Sequence, residues 1–191
     1  MGKNKSSNQV RIIAGQWRGR RLAVCDWPDL RPTGDRVRET LFNWLRSEIG
    51  GARCLDLFCG SGALGLEALS RGAQSVVFVD QAEVVITHLK KQTGGWPGIG
   101  GAEFIVSDAM SWLEGASSNF DLVFLDPPFD LGSQLSCLTL LIDQNRVTHG
   151  GLIYIESPTS GALDPSDLPS GTTIERQKTF GQVSACLIRY H

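Results

Sequence analysis

The alternation of apolar and polar segments predicts short strands interleaved with helices over most of the chain. From residue 53 onwards, apolar runs of strand length are separated by segments with helical periodicity. We predict strands at residues 53–57, 75–79, 103–106, 122–125, 152–156, 172–175 and 183–189, and helices near residues 63–71, 82–92, 109–114 and 133–146. Such alternation is typical of a mostly parallel sheet covered on both faces. The last two strands are closely spaced around Gly181, which predicts a hairpin and an antiparallel final strand.

The first 50 residues follow a different pattern. Apolar residues 10–14 and 21–24 flank a glycine-bounded segment, which predicts a β-hairpin. After a loop, apolar positions recur with helical spacing to about residue 47, and Thr33 or Asp35 could cap that helix. No apolar run approaches the roughly 20 residues of a membrane-spanning helix. The polar start of the chain is also unlike a secretory signal, so we expect a cytoplasmic protein.

Composition adds a charge asymmetry to this picture. The chain has 191 residues, of which 41% are hydrophobic, as expected for one domain with a packed core. Residues 1–38 hold nine of the 18 basic side chains and three of the 20 acidic ones, so this segment carries +6 and the remainder -8. Because arginine matches phosphate oxygens, the basic segment indicates a polyanionic partner. Its arginines are interleaved with apolar residues, which favours a folded element over a solvated tail.

Cysteine and histidine spacing indicates neither a metal site nor a disulfide framework. The five cysteines include no C-x-x-C pair, and the three histidines are scattered. We therefore predict no metal, and interpret the thiols as small buried hydrophobic groups in a reducing compartment.

A glycine-rich segment follows the first strand of the alternating region. Residues 56–65 (DLFCGSGALG) contain G-x-G-x-x-G between a predicted strand and a predicted helix. Asp80 ends the next strand, 20 residues after Gly60, where a carboxylate can accept both hydroxyls of a ribose. Together these features predict a site for an adenosine-containing cofactor.

The acids around this segment indicate which cofactor it binds. Asp56 precedes Gly60 by four residues, and a carboxylate there suits an ammonium group better than a pyrophosphate. S-adenosylmethionine carries such an ammonium group and a sulfonium. Asp108 follows the third strand and could accept from the adenine amino group, although a helix N-cap explains it equally well.

The segment Asp-Pro-Pro-Phe at residues 126–129 predicts the reaction. It follows an apolar strand, and the carboxyl ends of the strands are where open α/β sheets bind their ligands. The Asp126 carboxylate and the Pro127 carbonyl could accept the two hydrogens of an exocyclic amino group and turn its lone pair towards a methyl donor. Phe129 would stack on the base. Guanine offers two adjacent donors to a carboxylate, whereas adenine offers one, but adenine enzymes also use this tetrapeptide.

Four segments resemble the bacterial 16S ribosomal RNA guanine-N2 methyltransferase family, which modifies guanine 966. They are residues 11–20 (RIIAGQWRGR), 31–45 (RPTGDRVRETLFNWL), 55–69 (LDLFCGSGALGLEAL) and 126–129 (DPPF). The resemblance implies a Rossmann-like class I methyltransferase fold, with a seven-stranded, mostly parallel sheet, an antiparallel last strand and an N-terminal hairpin and helix extension. It also implies S-adenosylmethionine as cofactor and 16S rRNA of the small subunit as partner.

The resemblance further implies a domain division and three sets of site residues. Residues 1–38 would be a basic RNA-binding extension and residues 39–191 the methyltransferase domain. Separately from the resemblance, we expect a monomer. The cofactor set is Asp56, Phe58, Gly60, Gly62, Asp80, Gln81, Asp108 and Ala109. The target-base set is Asp126, Pro127 and Phe129. The RNA set is Arg11, Arg18, Arg20, Arg21, Arg31 and Arg36.

Several alternatives stay open from the sequence. Arg31, Thr33 and Arg36 could contact RNA or close over the cofactor. The tetrapeptide also occurs in DNA or RNA adenine-N6 methyltransferases, although the chain has no sizeable target-recognition domain. A nicotinamide-dependent oxidoreductase would explain the glycines but not Asp-Pro-Pro-Phe, and a non-catalytic RNA-binding module would explain neither. Cys59 is interpreted as a packing residue, because an amino nitrogen needs no covalent enzyme intermediate.

Overall fold

A computed structural model describes residues 9–27, 32–127 and 134–191. The chain begins with an antiparallel hairpin of β1 (Gln9–Arg11) and β2 (Arg21–Ala23), followed by helix α1 (Asp35–Trp44). The hairpin is confirmed, but the prediction that Thr33 or Asp35 caps the helix is wrong. Gly34 occupies the N-cap position without a side-chain bond, because Thr33 is directed elsewhere and Asp35 is already the first helical residue.

The described remainder forms one seven-stranded sheet flanked by helices. Its strands are β3 (Arg53–Asp56), β4 (Ser75–Asp80), β5 (Ala102–Val106), β6 (Phe120–Leu125), β7 (Val147–Pro158), β8 (Thr172–Phe180) and β9 (Val183–Tyr190). The helices between them are α2 (Ala63–Ser70), α3 (Glu83–Thr93), α4 (Ala109–Gly115) and α5 (Gln134–Asp143). The strand order is β5-β4-β3-β6-β7-β9-β8, and β9 runs antiparallel to both its neighbours. The predicted α/β fold with an antiparallel last strand is confirmed.

The predicted helix at residues 133–146 is too long, and the strand after it starts earlier than expected. Helix α5 ends at Asp143, and Asn145 then adopts a left-handed backbone conformation with φ 52°. Val147 already pairs with Phe120 of β6, five residues before the predicted start of the strand. The polar residues 144–146 thus form a tight helix–strand connection rather than a last helical turn.

Two apolar clusters cover the two faces of the sheet. The hairpin contributes to one of them, since its alternate residues are buried with α1, α2 and the sheet. These buried hairpin residues are Val10, Ile12, Trp17 and Leu22. The hairpin therefore folds onto the core instead of extending from it. None of the helices in the described ranges is long and apolar enough to cross a membrane.

Glu67 on α2 is the polar anchor of the hairpin. Its buried carboxylate accepts the backbone N–H of Ile13 at 2.7 Å and that of Ala14 at 3.0 Å. Two arginines form ion pairs with this carboxylate. Arg71 Nε lies 2.7 Å from Glu67 Oε1, and Nη1 of the fully buried Arg38, on α1, lies 3.6 Å from Glu67 Oε2. A single carboxylate thus joins the hairpin to two helices.

Replacing Glu67 by alanine should destabilise the whole protein. The substitution leaves two hairpin N–H groups without an acceptor and leaves Arg38 with only Asp35, at 2.6 Å, as an ionic partner, so we expect a loss of about 3–5 kcal/mol in the free energy of unfolding. Denaturant unfolding followed by circular dichroism measures it. The matched control Glu39→Gln, at an exposed position of α1, should stay within about 0.5 kcal/mol of the original protein. A similar small change for Glu67→Ala would contradict the anchoring role.

Candidate active site

Four acidic side chains lie at the carboxyl edge of the sheet. Asp56 and Asp80 end β3 and β4, Asp126 follows β6, and Glu156 lies near the end of β7. Strands β3, β4, β6 and β7 are mutually parallel in the order β4-β3-β6-β7, so the four acids lie at the same end of the sheet. This edge is where open α/β sheets place their ligands.

The glycine segment forms a tight turn around the end of β3. Gly60 and Gly62 have positive φ angles of 46° and 70°, which favour glycine. Gly65 lies so close to the sheet that a Cβ atom would come within 2.3 Å of the Phe78 ring. Its N–H donates to Asp56 Oδ2 at 2.9 Å. The three glycines therefore allow the loop to turn and α2 to pack directly against the strands.

Asp56 is a buried acid with an unusual protonation equilibrium. Burial raises its pKa to about 7, the hydrogen bond from Gly65 N–H opposes this rise, and the nearby Asp80 charge adds to it. A cation beside this carboxyl would restore its ionised form.

Asp80 organises the same loop from β4. Its Oδ2 accepts the N–H of Gly60 at 3.0 Å and its Oδ1 that of Ala82 at 2.9 Å. Phe58 is half-buried in the loop, whereas Gln81 is exposed directly after Asp80. The structure therefore brings the predicted residues of the first two strand ends together around one loop.

Asp108 acts as the N-cap of α4. Its Oδ1 accepts from the Ser111 N–H at 2.9 Å and from the Ser111 hydroxyl at 3.0 Å. These bonds, led by that from the Ser111 N–H, lower the pKa of Asp108. The capping alternative is thus confirmed. Contact of this exposed acid, or of the neighbouring buried Ala109, with an adenine stays a prediction.

At the predicted target-base position, Asp126 is partly buried and accepts a hydrogen bond from the Thr33 hydroxyl at 3.2 Å. The segment before α1 thus reaches the end of β6, and Thr33 touches the predicted catalytic acid. Pro127 is buried. Phe129 lies outside the described residues.

Sequence reasoning missed Glu156 and Tyr154. Glu156 is 5% exposed, and its Oε1 accepts from the Tyr154 hydroxyl at 2.9 Å. Burial raises the pKa of Glu156, while the hydrogen bond from the Tyr154 hydroxyl acts in the opposite direction. The available signal was an acid closing an apolar strand, the same feature that singled out Asp126.

The predicted RNA-binding arginines lie on the outer side of the hairpin and on α1. Arg31 lies outside the described residues. The remaining five are exposed: Arg11, Arg18, Arg20, Arg21 and Arg36. Arg20 stacks over the Trp96 ring at 4.9 Å, and Trp17 packs edge-on against the same ring with centroids 5.1 Å apart. The glycine-rich segment 93–101, to which the sequence assigned no role, therefore supports the hairpin turn.

Cys59 is buried in the loop between β3 and α2. Burial raises its pKa well above the ordinary value for a thiol, so the sulfur stays protonated. This environment agrees with a packing residue rather than a nucleophile.

Comparison with known proteins places the chain among methyltransferases. The Escherichia coli (strain K12) protein named Ribosomal RNA small subunit methyltransferase D is 45% identical over 181 residues, which cover 95% of this chain and 90% of that protein. The Haemophilus influenzae protein of the same name is 42% identical over 182 residues, with 94% and 93% covered.

Solved structures agree with these sequence relatives. The Escherichia coli protein yhhF superposes with a TM-score of 0.87 at 44% identity, covering 96% of this chain and 98% of that one. The Haemophilus influenzae protein HI0767 superposes with a TM-score of 0.80 at 39% identity, covering 95% and 98%. A family described as Conserved hypothetical protein 95 matches residues 10–189. The chain therefore belongs to the Conserved hypothetical protein 95 family.

Proposed function

We propose that the protein transfers a methyl group from S-adenosylmethionine to the exocyclic N2 amino group of guanine 966 in 16S ribosomal RNA. The relatives named Ribosomal RNA small subunit methyltransferase D, which match nearly the whole chain, support methylation of small-subunit rRNA. The proposal of this reaction rests on the position of Asp126. This residue lies at the carboxyl end of β6, next to the strand that leads into the glycine loop.

The residues around the glycine loop fit the cofactor. Burial raises the pKa of the Asp56 carboxyl to about 7, and the ammonium group at the amino-acid end of S-adenosylmethionine would favour the ionised form of this carboxyl. Asp80 adjoins the loop where the ribose hydroxyls would lie, with Phe58, Gln81, Asp108 and Ala109 as further proposed contacts. S-adenosylmethionine supplies an electrophilic methyl group on its sulfonium.

Asp126 and Pro127 would hold the target base. A carboxylate and a neighbouring carbonyl are both acceptors, and proline offers no N–H to compete with the substrate. Guanine presents its N1–H and N2 amino hydrogens on one edge, so it matches this acceptor pair. Holding the amino hydrogens directs the nitrogen lone pair towards the methyl group, which is catalysis by orientation. Phe129 remains the proposed stacking partner.

The exposed hairpin arginines would bind RNA phosphates. Residues 1–38 are our proposed RNA-binding extension and residues 39–191 the methyltransferase domain, although the hairpin shares the core of that domain. We further propose that the protein acts as a monomer in the cytoplasm, where its small-subunit substrate is assembled.

Asp126→Ala should abolish methyl transfer and leave cofactor binding intact. Without the acceptor the amino group is no longer oriented, so we expect turnover to fall by at least about 100-fold. The assay measures transfer of labelled methyl groups to small subunits from cells lacking the enzyme, and mass spectrometry identifies the modified nucleotide. S-adenosylhomocysteine binding is measured by calorimetry. The control Asp143→Ala, an exposed acid at the end of α5, should keep full turnover.

Two outcomes of this assay would contradict the proposal. No incorporation by the original protein would exclude the activity, and label appearing in DNA or at an adenine would indicate the adenine-N6 alternative. Loss of both transfer and cofactor binding in Asp126→Ala would assign that residue to folding or to the cofactor site.

Binding of S-adenosylhomocysteine near pH 7 should release protons. At this pH Asp56 is about half protonated because its pKa is about 7, and a bound ammonium group lowers that pKa by favouring the carboxylate. The apparent binding enthalpy should therefore depend on the ionisation enthalpy of the buffer. At higher pH, where Asp56 is already ionised, the dependence should vanish. No buffer dependence at pH 7, or measurable binding of NAD instead, would contradict this cofactor site.

The double substitution Arg18→Ala with Arg20→Ala should weaken RNA binding. Loss of two phosphate contacts should also flatten the dependence of log K on log salt concentration by roughly one to two units. Filter binding to an rRNA fragment at several salt concentrations measures both effects. The control Arg176→Ala with Lys178→Ala removes the same charge from edge strand β8. Equal losses for the two double variants would mean that net charge alone, and not the hairpin, binds RNA.

A further inference from the structure

The turn of the hairpin and the glycine-rich segment 93–101 form one surface. The buried Trp17 joins the two, because its indole Nε1–H donates to the Pro97 carbonyl at 2.8 Å and its ring packs edge-on against that of Trp96. The backbone N–H of Trp17 also donates to the Ser70 hydroxyl of α2 at 3.0 Å. The half-buried Trp96 ring is therefore fixed relative to both the hairpin and the core.

Arg20 is held on this surface through its backbone and its side chain. Its N–H donates to the Trp17 carbonyl at 3.0 Å, and its carbonyl accepts from the Ile12 N–H at 2.9 Å. Its guanidinium carbon lies 4.9 Å from the centroid of the Trp96 ring, which is within the range of a cation–π contact. The guanidinium therefore has a defined place on the hairpin, although Arg20 is exposed.

Arg20 differs in this respect from the rest of the predicted RNA set. Within the described residues, no aromatic ring lies against the side chains of the other four arginines, which are Arg11, Arg18, Arg21 and Arg36. In the same part of the chain, no residue forms a hydrogen bond or ion pair with the Arg20 guanidinium. Its N–H groups are therefore available to a ligand.

An arginine fixed in this way suits a phosphate group. A guanidinium presents a planar fork of N–H groups that matches two phosphate oxygens. A cation–π contact uses the charge of the guanidinium and needs no hydrogen-bond acceptor, so the fork stays intact. Binding through a mobile arginine costs the entropy of ordering its side chain, and a contact formed before binding reduces that cost.

We propose that Trp96 is a positioning residue that holds the Arg20 guanidinium for a bidentate contact with one RNA phosphate. This inference rests on the proposed function. The hairpin turn and segment 93–101 then bind RNA as one surface. Because phosphate contacts fix the register of a bound strand, Arg20 sets that register, whereas the arginines without a ring contribute mainly charge.

The first test separates a fixed guanidinium from positive charge. Arg20→Lys keeps the charge but loses the fork, so its affinity for a 16S rRNA fragment that contains guanine 966 should fall by about three- to tenfold. The salt dependence of filter binding should stay nearly unchanged, because the number of cations is the same. Arg18→Lys, in the same turn, is the matched control and should bind as the original protein does. Equal losses for the two variants would overturn the proposal.

A double-mutant cycle then tests Trp96 itself. Trp96→Leu removes the ring, keeps an apolar side chain and should weaken RNA binding by about three- to tenfold, but should add no loss to Arg20→Ala. Trp96→Phe keeps an aromatic face and should retain most of the affinity. Phe180→Leu is the matched control, since it removes the ring that lies 5.2 Å from the Lys178 ammonium on β8, and RNA binding should not change. Additive losses of Trp96→Leu and Arg20→Ala would overturn the proposal.

A measurement without RNA checks the contact in the free protein. In nuclear magnetic resonance spectra, the Arg20 Nε–H signal should carry a ring-current shift that Trp96→Leu removes, and the dispersion of the amide signals shows that the variant is folded. An Arg20 signal that does not move in the folded variant would overturn the contact.

These readouts use no turnover, which keeps this inference distinguishable from the proposed function. Non-additive losses in a protein that does not methylate rRNA would retain Arg20 and Trp96 as an RNA-binding pair while the proposed reaction fails. Additive losses in an active methyltransferase would overturn this inference alone.

Discussion

Glu67 and Arg38 bring opposite charges together beneath the hairpin, where neither side chain reaches solvent. Buried charges are tolerated when they are paired and hydrogen-bonded, and most polar atoms of this pair meet that condition by bonding to backbone groups of several segments, whereas Arg38 Nη1 faces only the Glu67 charge at 3.6 Å. Glu67 accepts two hairpin N–H groups, while Arg38 donates to the carbonyls of Arg11 and Thr33. The hairpin, the start of α1 and the helix after the glycine loop are fixed relative to one another by this requirement.

The same contacts lead from the basic hairpin to the proposed catalytic acid. Arg38 bonds the carbonyl of Arg11, an exposed residue of the proposed RNA surface, and also that of Thr33. The Thr33 hydroxyl then reaches Asp126. The proposed RNA-binding element and the acid that would receive the base therefore share one packed framework, which would set where a bound strand lies relative to the end of β6.

The acids at the carboxyl edge differ because their surroundings differ. Asp56 is buried beside another acid, and its pKa rises to about 7. Asp108 is exposed at a helix N-terminus, and its pKa falls. Asp126 and Glu156 lie side by side, and burial raises the pKa of each. At this one end of the sheet, a carboxyl group caps a helix, and in the proposed function other carboxyl groups would face a cation and accept from an amino group.

Local pattern was enough to predict the alternating strands and helices, the hairpin, the antiparallel last strand and the acids at strand ends, because period and turn residues are encoded within short segments. Local pattern alone did not predict where the helices begin and end. Helix α5 stops early because Asn145 turns left-handed, and Thr33 does not cap α1 because its hydroxyl has a partner 93 residues away. The Arg38–Glu67 pair and the placement of Asp126 beside Glu156 on neighbouring strands also join distant segments. Only the tertiary structure decided them, since charge pairing and strand order depend on distances that no local pattern specifies.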